Sequence, residues 1–209
     1  MLEQIARAVL FFIRKRLRGQ VMHKHIFFVL LCICISSAEC GTTLQEQVKS
    51  YTLSAERGDA AAQHNLGVMY MTGDGVPQSY KQAFKWFKKA AEQGLASAQV
   101  NLGSLYQSGL GVQQNNKTAF SWYQKAARQG HASGQNNLAL MYMLGLGVKH
   151  NPTEAIEWWH KAAQQGHVNA QISLATIYEL GLSVPKNSNE AIKWSRKAAL
   201  QKESSAKKN

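Results

Sequence analysis

From Leu66 the chain reads Leu-Gly-Val-Met-Tyr-Met-Thr-Gly-Asp-Gly-Val, and the same frame returns at Leu102, Leu138 and Leu174. The interval is 36 residues each time. Tyr70, Tyr106, Tyr142 and Tyr178 keep step, as do the loop pairs Gly73/Gly75, Gly109/Gly111, Gly145/Gly147 and Gly181/Ser183. The downstream half repeats as well: Ala83, Ala119, Ala155 and Ala191, then Trp86, Trp122, Trp158 and Trp194. Lys-Ala-Ala follows at 89, 125, 161 and 197, and Gly94, Gly130 and Gly166 close the first three copies. A fixed period of this size calls for stacked units, each unable to bury its apolar face without a neighbour.

Each unit reads as a first helix, a tight loop and a second helix. The first carries apolar residues at helical spacing, as in Ala62, Leu66, Met69 and Tyr70. A small residue at Gly67, Gly103, Ala139 and Ala175 lets the paired helix come close. Ser79, Asn115, Asn151 and Asn187 are N-cap residues for the second helices. Gln82, Glu154 and Glu190, three residues later, complete approximate capping boxes. Pro152 suits the first helical turn, and Lys88, Lys89, Lys125, Lys161, Arg196 and Lys197 suit the C-terminal ends.

The pattern Leu-Gly-x-x-Tyr-x-x-Gly-x-Gly-Val, then Ala-x-x-Trp-x-x-Lys-Ala-Ala-x-Gln-Gly, resembles the Sel1-like repeat, a relative of the tetratricopeptide repeat. The resemblance implies an all-α, right-handed α/α solenoid of four helix-turn-helix repeats, at 59–94, 95–130, 131–166 and 167–202. Residues 39–58 align with the second half of a repeat and are expected to form an N-terminal capping helix, with Ser50 in the Trp position. Ser183, Ser195 and Lys202 make the fourth copy more polar, as a C-terminal cap would be, and 203–209 is a polar tail expected to fray.

Residues 1–38 have another character. Met22-His23-Lys24-His25 opens an apolar run of ten residues from Ile26 to Ile35, and Ser36-Ser37-Ala38 offers a cleavage site. That is the layout of a secretory signal peptide, with 1–21 standing upstream of the expected start at Met22. A periplasmic or secreted bacterial protein follows, meeting membrane only through that segment. The whole chain has 24 basic and 12 acidic residues; six and one of them fall within 1–38, leaving 18 against 11, net +7. Cys32 and Cys34 would leave with the leader, so Cys40 has no intramolecular disulfide partner and the fold must stand on packing.

The search for chemistry returns little. The phased Trp residues are expected at repeat contacts rather than on a binding platform. His131 and His167 share one repeat position, where the other copies have Asp59 and Leu95, and read as surface histidines near helix starts rather than metal ligands. No paired Cys, His-Glu-x-x-His, Gly-x-Ser-x-Gly or P-loop occurs, so no catalytic residue, metal or cofactor is assigned. The basic excess lies mostly at helix ends, which argues against nucleic acid. A monomer is expected.

One face of the first helix remains. Positions 61, 65, 68 and 72 form a stripe, which becomes Ser97-Asn101-Ser104-Ser108, Ser133-Asn137-Leu140-Leu144 and Asn169-Ser173-Thr176-Leu180 in later copies. It is uncharged, with Asn65, Asn101 and Asn137 in register. In tetratricopeptide repeats the first helix lines the concave groove, and an Asn at this position often pairs with a bound peptide's backbone. The resemblance therefore implies a non-enzymatic scaffold contacting a protein or peptide through Asn65, Asn101, Asn137, Ser104, Ser173 and Thr176. An Asn here could also cap local backbone or face water. The alternative is an envelope enzyme or cell-wall ligand binder of the penicillin-binding or β-lactamase-like type, linked to cysteine-rich relatives whose paired Cys this chain lacks.

Overall fold

The computed structural model describes residues 43–206, so the expected leader and residues 207–209 lie outside it. From Gln47 onward the chain forms one compact unit. Among the described residues nine helices and no strands occur. Residues 43–56 form α1. Four hairpins follow: α2 (Ala60–Thr72) with α3 (Tyr80–Glu92), α4 (Ala96–Ser108) with α5 (Asn116–Arg128), α6 (Ala132–Leu144) with α7 (Pro152–Gln164), and α8 (Val168–Leu180) with α9 (Ser188–Ala206). This is an all-α repeat solenoid.

The helix ends lie where the cap chemistry puts them. Ser79, Asn115, Asn151 and Asn187 accept from the backbone N–H three residues on, at 3.3, 3.0, 3.3 and 3.1 Å. Pro152 is the first residue of α7, where a missing N–H leaves no bond unmade. α9 runs nineteen residues to Ala206, so residues 203–206 continue the helix rather than fray. Lys202 stands where Gly94, Gly130 and Gly166 end the earlier copies in left-handed backbone, and a lysine does not force that stop.

Each first helix lies between two second helices, its own and the preceding one: α4 touches both α3 and α5, α6 both α5 and α7, α8 both α7 and α9. Leu66, Leu102, Leu138 and Leu174 fill the centre of each layer and are fully buried. The phased Trp residues do meet the core, but they are not its most enclosed rings. Trp86 and Trp194 are buried, whereas Trp122 and Trp158 are half-buried, each with a Lys ammonium about 4 Å above its ring (Lys125 at 4.0 Å, Lys161 at 3.9 Å). The enclosed row is one residue on: Phe87, Tyr123 and Trp159, with Tyr51 half-buried at the same phase in α1. A β-carbon at Gly67 would stand 2.7 Å from the Phe87 ring, and one at Gly103 would stand 2.7 Å from that of Tyr123. That close approach is the reason for the small residue.

A second row ties the layers together. Gln63, Gln99, Gln135 and Gln171 are buried, and their Nε2 groups donate to the carbonyls of Ala55, Ala91, Ala127 and Ala163 at 3.0–3.3 Å. Those carbonyls lie in the last turn of the preceding second helix, and each also accepts from the N–H of the glycine that closes it (Gly58, Gly94, Gly130 and Gly166) at 3.0–3.2 Å, so the Gln side chain takes up the second lone pair. Gln93, Gln129 and Gln165 donate in turn to the Oε1 of Gln63, Gln99 and Gln135 at 2.7–2.8 Å.

Candidate binding face on the first helices

α4 touches α6 directly, whereas no two of α3, α5, α7 and α9 come into comparable contact. The first helices therefore lie on the inner side of the stack. Charge separates along the same division: α2, α4 and α6 carry no charged residue and α8 carries only Glu179, while α3 alone has four lysines.

On this face the three Asn side chains are half-buried and in register, as the spacing predicted. They are not idle. Asn101 Nδ2 donates to His64 Nε2 at 3.1 Å, and His64 Nδ1 lies 3.4 Å from Asn65 Oδ1. This pattern requires the ring proton on Nδ1, and it bridges the first two copies. Burial, above all, holds the His64 imidazole below its usual pKa; the Asn65 hydrogen bond opposes this, and the nearby His131 adds to it. Farther along, Asn137 Oδ1 accepts from Asn136 Nδ2 at 3.1 Å. The Tyr123 hydroxyl donates to Gln107 Oε1 at 2.9 Å. Burial pushes that phenol up to about 12, with hydrogen bonding to Ser104 and Asn137 opposing the rise. Tyr123 thus reaches from the core of its hairpin to the Asn row.

The remaining expected residues divide. Ser104 is exposed and Ser173 half-buried. Thr176 is exposed, but its Oγ1 donates back to Ile172 O at 3.0 Å, and Ser108 and Thr72 bond back to their own helices likewise. Beyond the second copy the stripe gains exposed leucines. Leu140, Leu144 and Leu180 stand 39%, 57% and 63% exposed. Polar groups persist beside them, at Ser133 and Asn137 in the third copy and at Asn169, Ser173 and Thr176 in the fourth.

His131 and His167 are not surface residues; both are half-buried at the N-caps of α6 and α8. His167 Nδ1 accepts from Ala170 N at 3.3 Å, and burial followed by the nearby His131 lowers its pKa. Among the described residues, no three of His, Cys, Asp and Glu are grouped to hold a metal ion. His64, Tyr123 and the buried Gln row were missed in the sequence. The Gln residues had a usable signal in their 36-residue phase, and Tyr123 had one in its phase with Phe87 and Trp159.

Stacked helical hairpins with a continuous inner face define a repeat-type scaffold. The Sel1 repeat model matches residues 60–95, 96–131, 132–167 and 168–203, and the chain belongs to the Sel1 repeat family. Proteins built from these repeats typically serve in protein–protein interaction. A protective antigen of uropathogenic Escherichia coli with the same fold is 40% identical, at a TM-score of 0.68, over 76% of this chain and 34% of that one. A Sel1 repeat protein of Oxalobacter formigenes is 36% identical, at a TM-score of 0.70, over 73% of this chain and 61% of its own. The chain thus spans less than two thirds of either relative. An immunity protein of Pseudomonas aeruginosa shares the fold at 24% identity and a TM-score of 0.53, over 74% of this chain and 57% of that one. No curated protein sequence matches the chain.

Proposed function

We propose that this chain is an exported, non-enzymatic scaffold that holds an extended segment of a partner protein along its first helices. The observation that carries this reading is the uncharged inner stripe, where Asn65, Asn101 and Asn137 offer one half-exposed amide per repeat before the surface turns to Leu140, Leu144 and Leu180. An amide can donate to and accept from one peptide unit without reading its side chain. The exposed leucines would take apolar side chains of the same ligand. An uncharged groove selects against highly charged segments, since their charges would lose water without gaining a partner.

The test starts with the protein recovered from periplasm or medium, where it should begin at Glu39. It is used to capture partners from envelope extract. Asn65, Asn101 and Asn137 are then changed to Ala together, and the captured protein is titrated against both forms. Each lost hydrogen bond is worth about 0.5–1.5 kcal/mol, so affinity should fall about tenfold or more while the helical circular-dichroism signal holds. Unchanged affinity in a folded triple variant would move recognition off this row. Specific labelling by a fluorescent penicillin would replace the scaffold reading with the cell-wall one.

A further inference from the structure

Within the four first helices His64 is the one imidazole; the later copies have Val100, Asn136 and Ile172 in its place. It stands between two members of the Asn row. Its ring lies on Phe87, centroids 5.6 Å apart, and each ring nitrogen meets one amide: Nδ1 with Asn65 Oδ1 at 3.4 Å, Nε2 with Asn101 Nδ2 at 3.1 Å. A neutral imidazole has one donor and one acceptor, so the two amides are held in opposite senses. Asn65 gives its oxygen to the ring and keeps its amide N–H groups for the groove. Asn101 gives an N–H and keeps its oxygen. Among the described residues neither remaining group is bonded or enclosed, so both are open to a ligand.

We propose that His64 sets the hydrogen-bonding sense of the Asn row where the first two copies meet, and that its protonation inverts Asn101 from acceptor to donor. This rests on the peptide-groove reading and adds a regulation of that groove. With the ring neutral, Asn65 and Asn101 together suit one C=O and one N–H of a ligand backbone. An imidazolium donates from both nitrogens. Asn65 Oδ1 still accepts from Nδ1, but Asn101 Nδ2 then faces a second donor. Half a turn of the amide brings Oδ1 to the ring, and the terminal torsion of Asn is soft enough to allow it. The groove is left with two donors and a positive charge, and the ligand N–H at Asn101 loses its acceptor. Burial opposes the charged ring, the Asn65 hydrogen bond favours it, and His131 at the N-cap of α6 opposes it again. α2 and α4 carry no charge, and no charged residue of α1 or α3 acts on the ring; among the described residues only His131 does. Binding is therefore full while His64 is neutral and is lost as pH falls through a pKa below the usual imidazole range.

The test is NMR of the imidazole and side-chain amide nitrogens of the purified protein, followed from about pH 8 to about pH 4. At the upper end His64 should carry its proton on Nδ1. As it titrates, the Asn101 side-chain amide should shift with the same midpoint. His64→Phe keeps a ring on Phe87 and removes both nitrogens; with the helical signal intact, the Asn101 shift should vanish. His131→Gln should leave that shift in place. Asn101→Asp should raise the His64 midpoint, because a carboxylate accepts from the imidazolium without turning. A neutral ring protonated on Nε2, or an Asn101 amide that stays flat through the His64 titration, would overturn the proposal. A binding arm separates it from the groove reading. The protein captured from envelope extract is titrated against the parent on both sides of the His64 midpoint. Its affinity should fall about two- to tenfold on acidification, the loss of one hydrogen bond, and the fall should be absent in His64→Phe. A fall that persists in His64→Phe, or none for a partner that the triple Asn substitution does weaken, also overturns the proposal. A partner indifferent to the triple substitution sinks the groove reading alone, and the amide titration then decides the role of His64.

Discussion

Tyr123 shows how one side chain can serve both core and surface. Its ring is 1% exposed and fills the space that Gly103 leaves open, while its hydroxyl reaches Gln107 and the neighbourhood of Asn137. Ionising that phenol would put an anion where water is excluded, which is why its pKa rises to about 12 from 10. The unfolded chain therefore loses this proton first. The contribution is fully present below pH 10 and is lost as pH rises through 12. A Tyr123→Phe variant should show a shallower alkaline loss of stability than the parent between pH 10 and 12, measured by denaturant midpoint. Parallel curves would mean that the hydroxyl is not held away from water. The buried glutamines teach a related lesson about legibility. Leu66 and its counterparts declared the core because apolar residues at a fixed period can mean little else. Gln63, Gln99, Gln135 and Gln171 keep the same period, but a polar residue in a helix reads as solvent-facing until the carbonyl it must satisfy is in view.

At the scale of elements, the sequence declared hairpins, caps and stops, because each of those is decided within a few residues. The contacts between elements were harder to see. The invariant Trp suggested itself as the buried ring, yet Phe87, Tyr123 and Trp159 are each more enclosed than the Trp just before them, and a Lys ammonium lies over the ring of every phased Trp, buried or not. The candidate face was legible as a stripe, whereas the bridge from Asn101 to His64 was not, since it joins residues of two copies. The second loop glycine is another contact between elements. Gly111 has φ +71°, and a β-carbon there would collide with the backbone of Tyr80, in the hairpin before. Gly111→Ala should therefore destabilise by at least about 2 kcal/mol, from backbone strain and overpacking together. Ser183 occupies the same phase at φ +62°, already paying the left-handed cost without glycine's freedom. Ser183→Gly should stabilise by up to about 1 kcal/mol. Chemical denaturation of the two variants checks both signs, and a neutral Gly111→Ala would show that the loop can move off α3.

For the whole molecule, stability is distributed along one dimension, so position in the stack should matter as much as burial. Two tryptophans separate these variables. Trp159 is 4% exposed and Trp194 is 3% exposed, in the same apolar cluster with Ala155, Leu174 and Ile177. Large-to-small truncation of a buried Trp costs about 3–5 kcal/mol at either place if burial alone decides. The neighbours differ, however. Trp159 lies on α7, which carries α8 on one side and α6 on the other, and Trp194 lies on α9, in the last hairpin. Trp194→Ala should therefore loosen the final hairpin, lowering helical signal before the main transition while three hairpins melt near the parent temperature. Trp159→Ala weakens a junction with stack on both sides, so the main transition itself should shift down. Thermal melts followed by circular dichroism, with hydrogen exchange read separately over α8 and α9, distinguish the two outcomes. If the variants melt alike and exchange alike, the array unfolds as one cooperative block, and its repeats do not act as separable nearest-neighbour units.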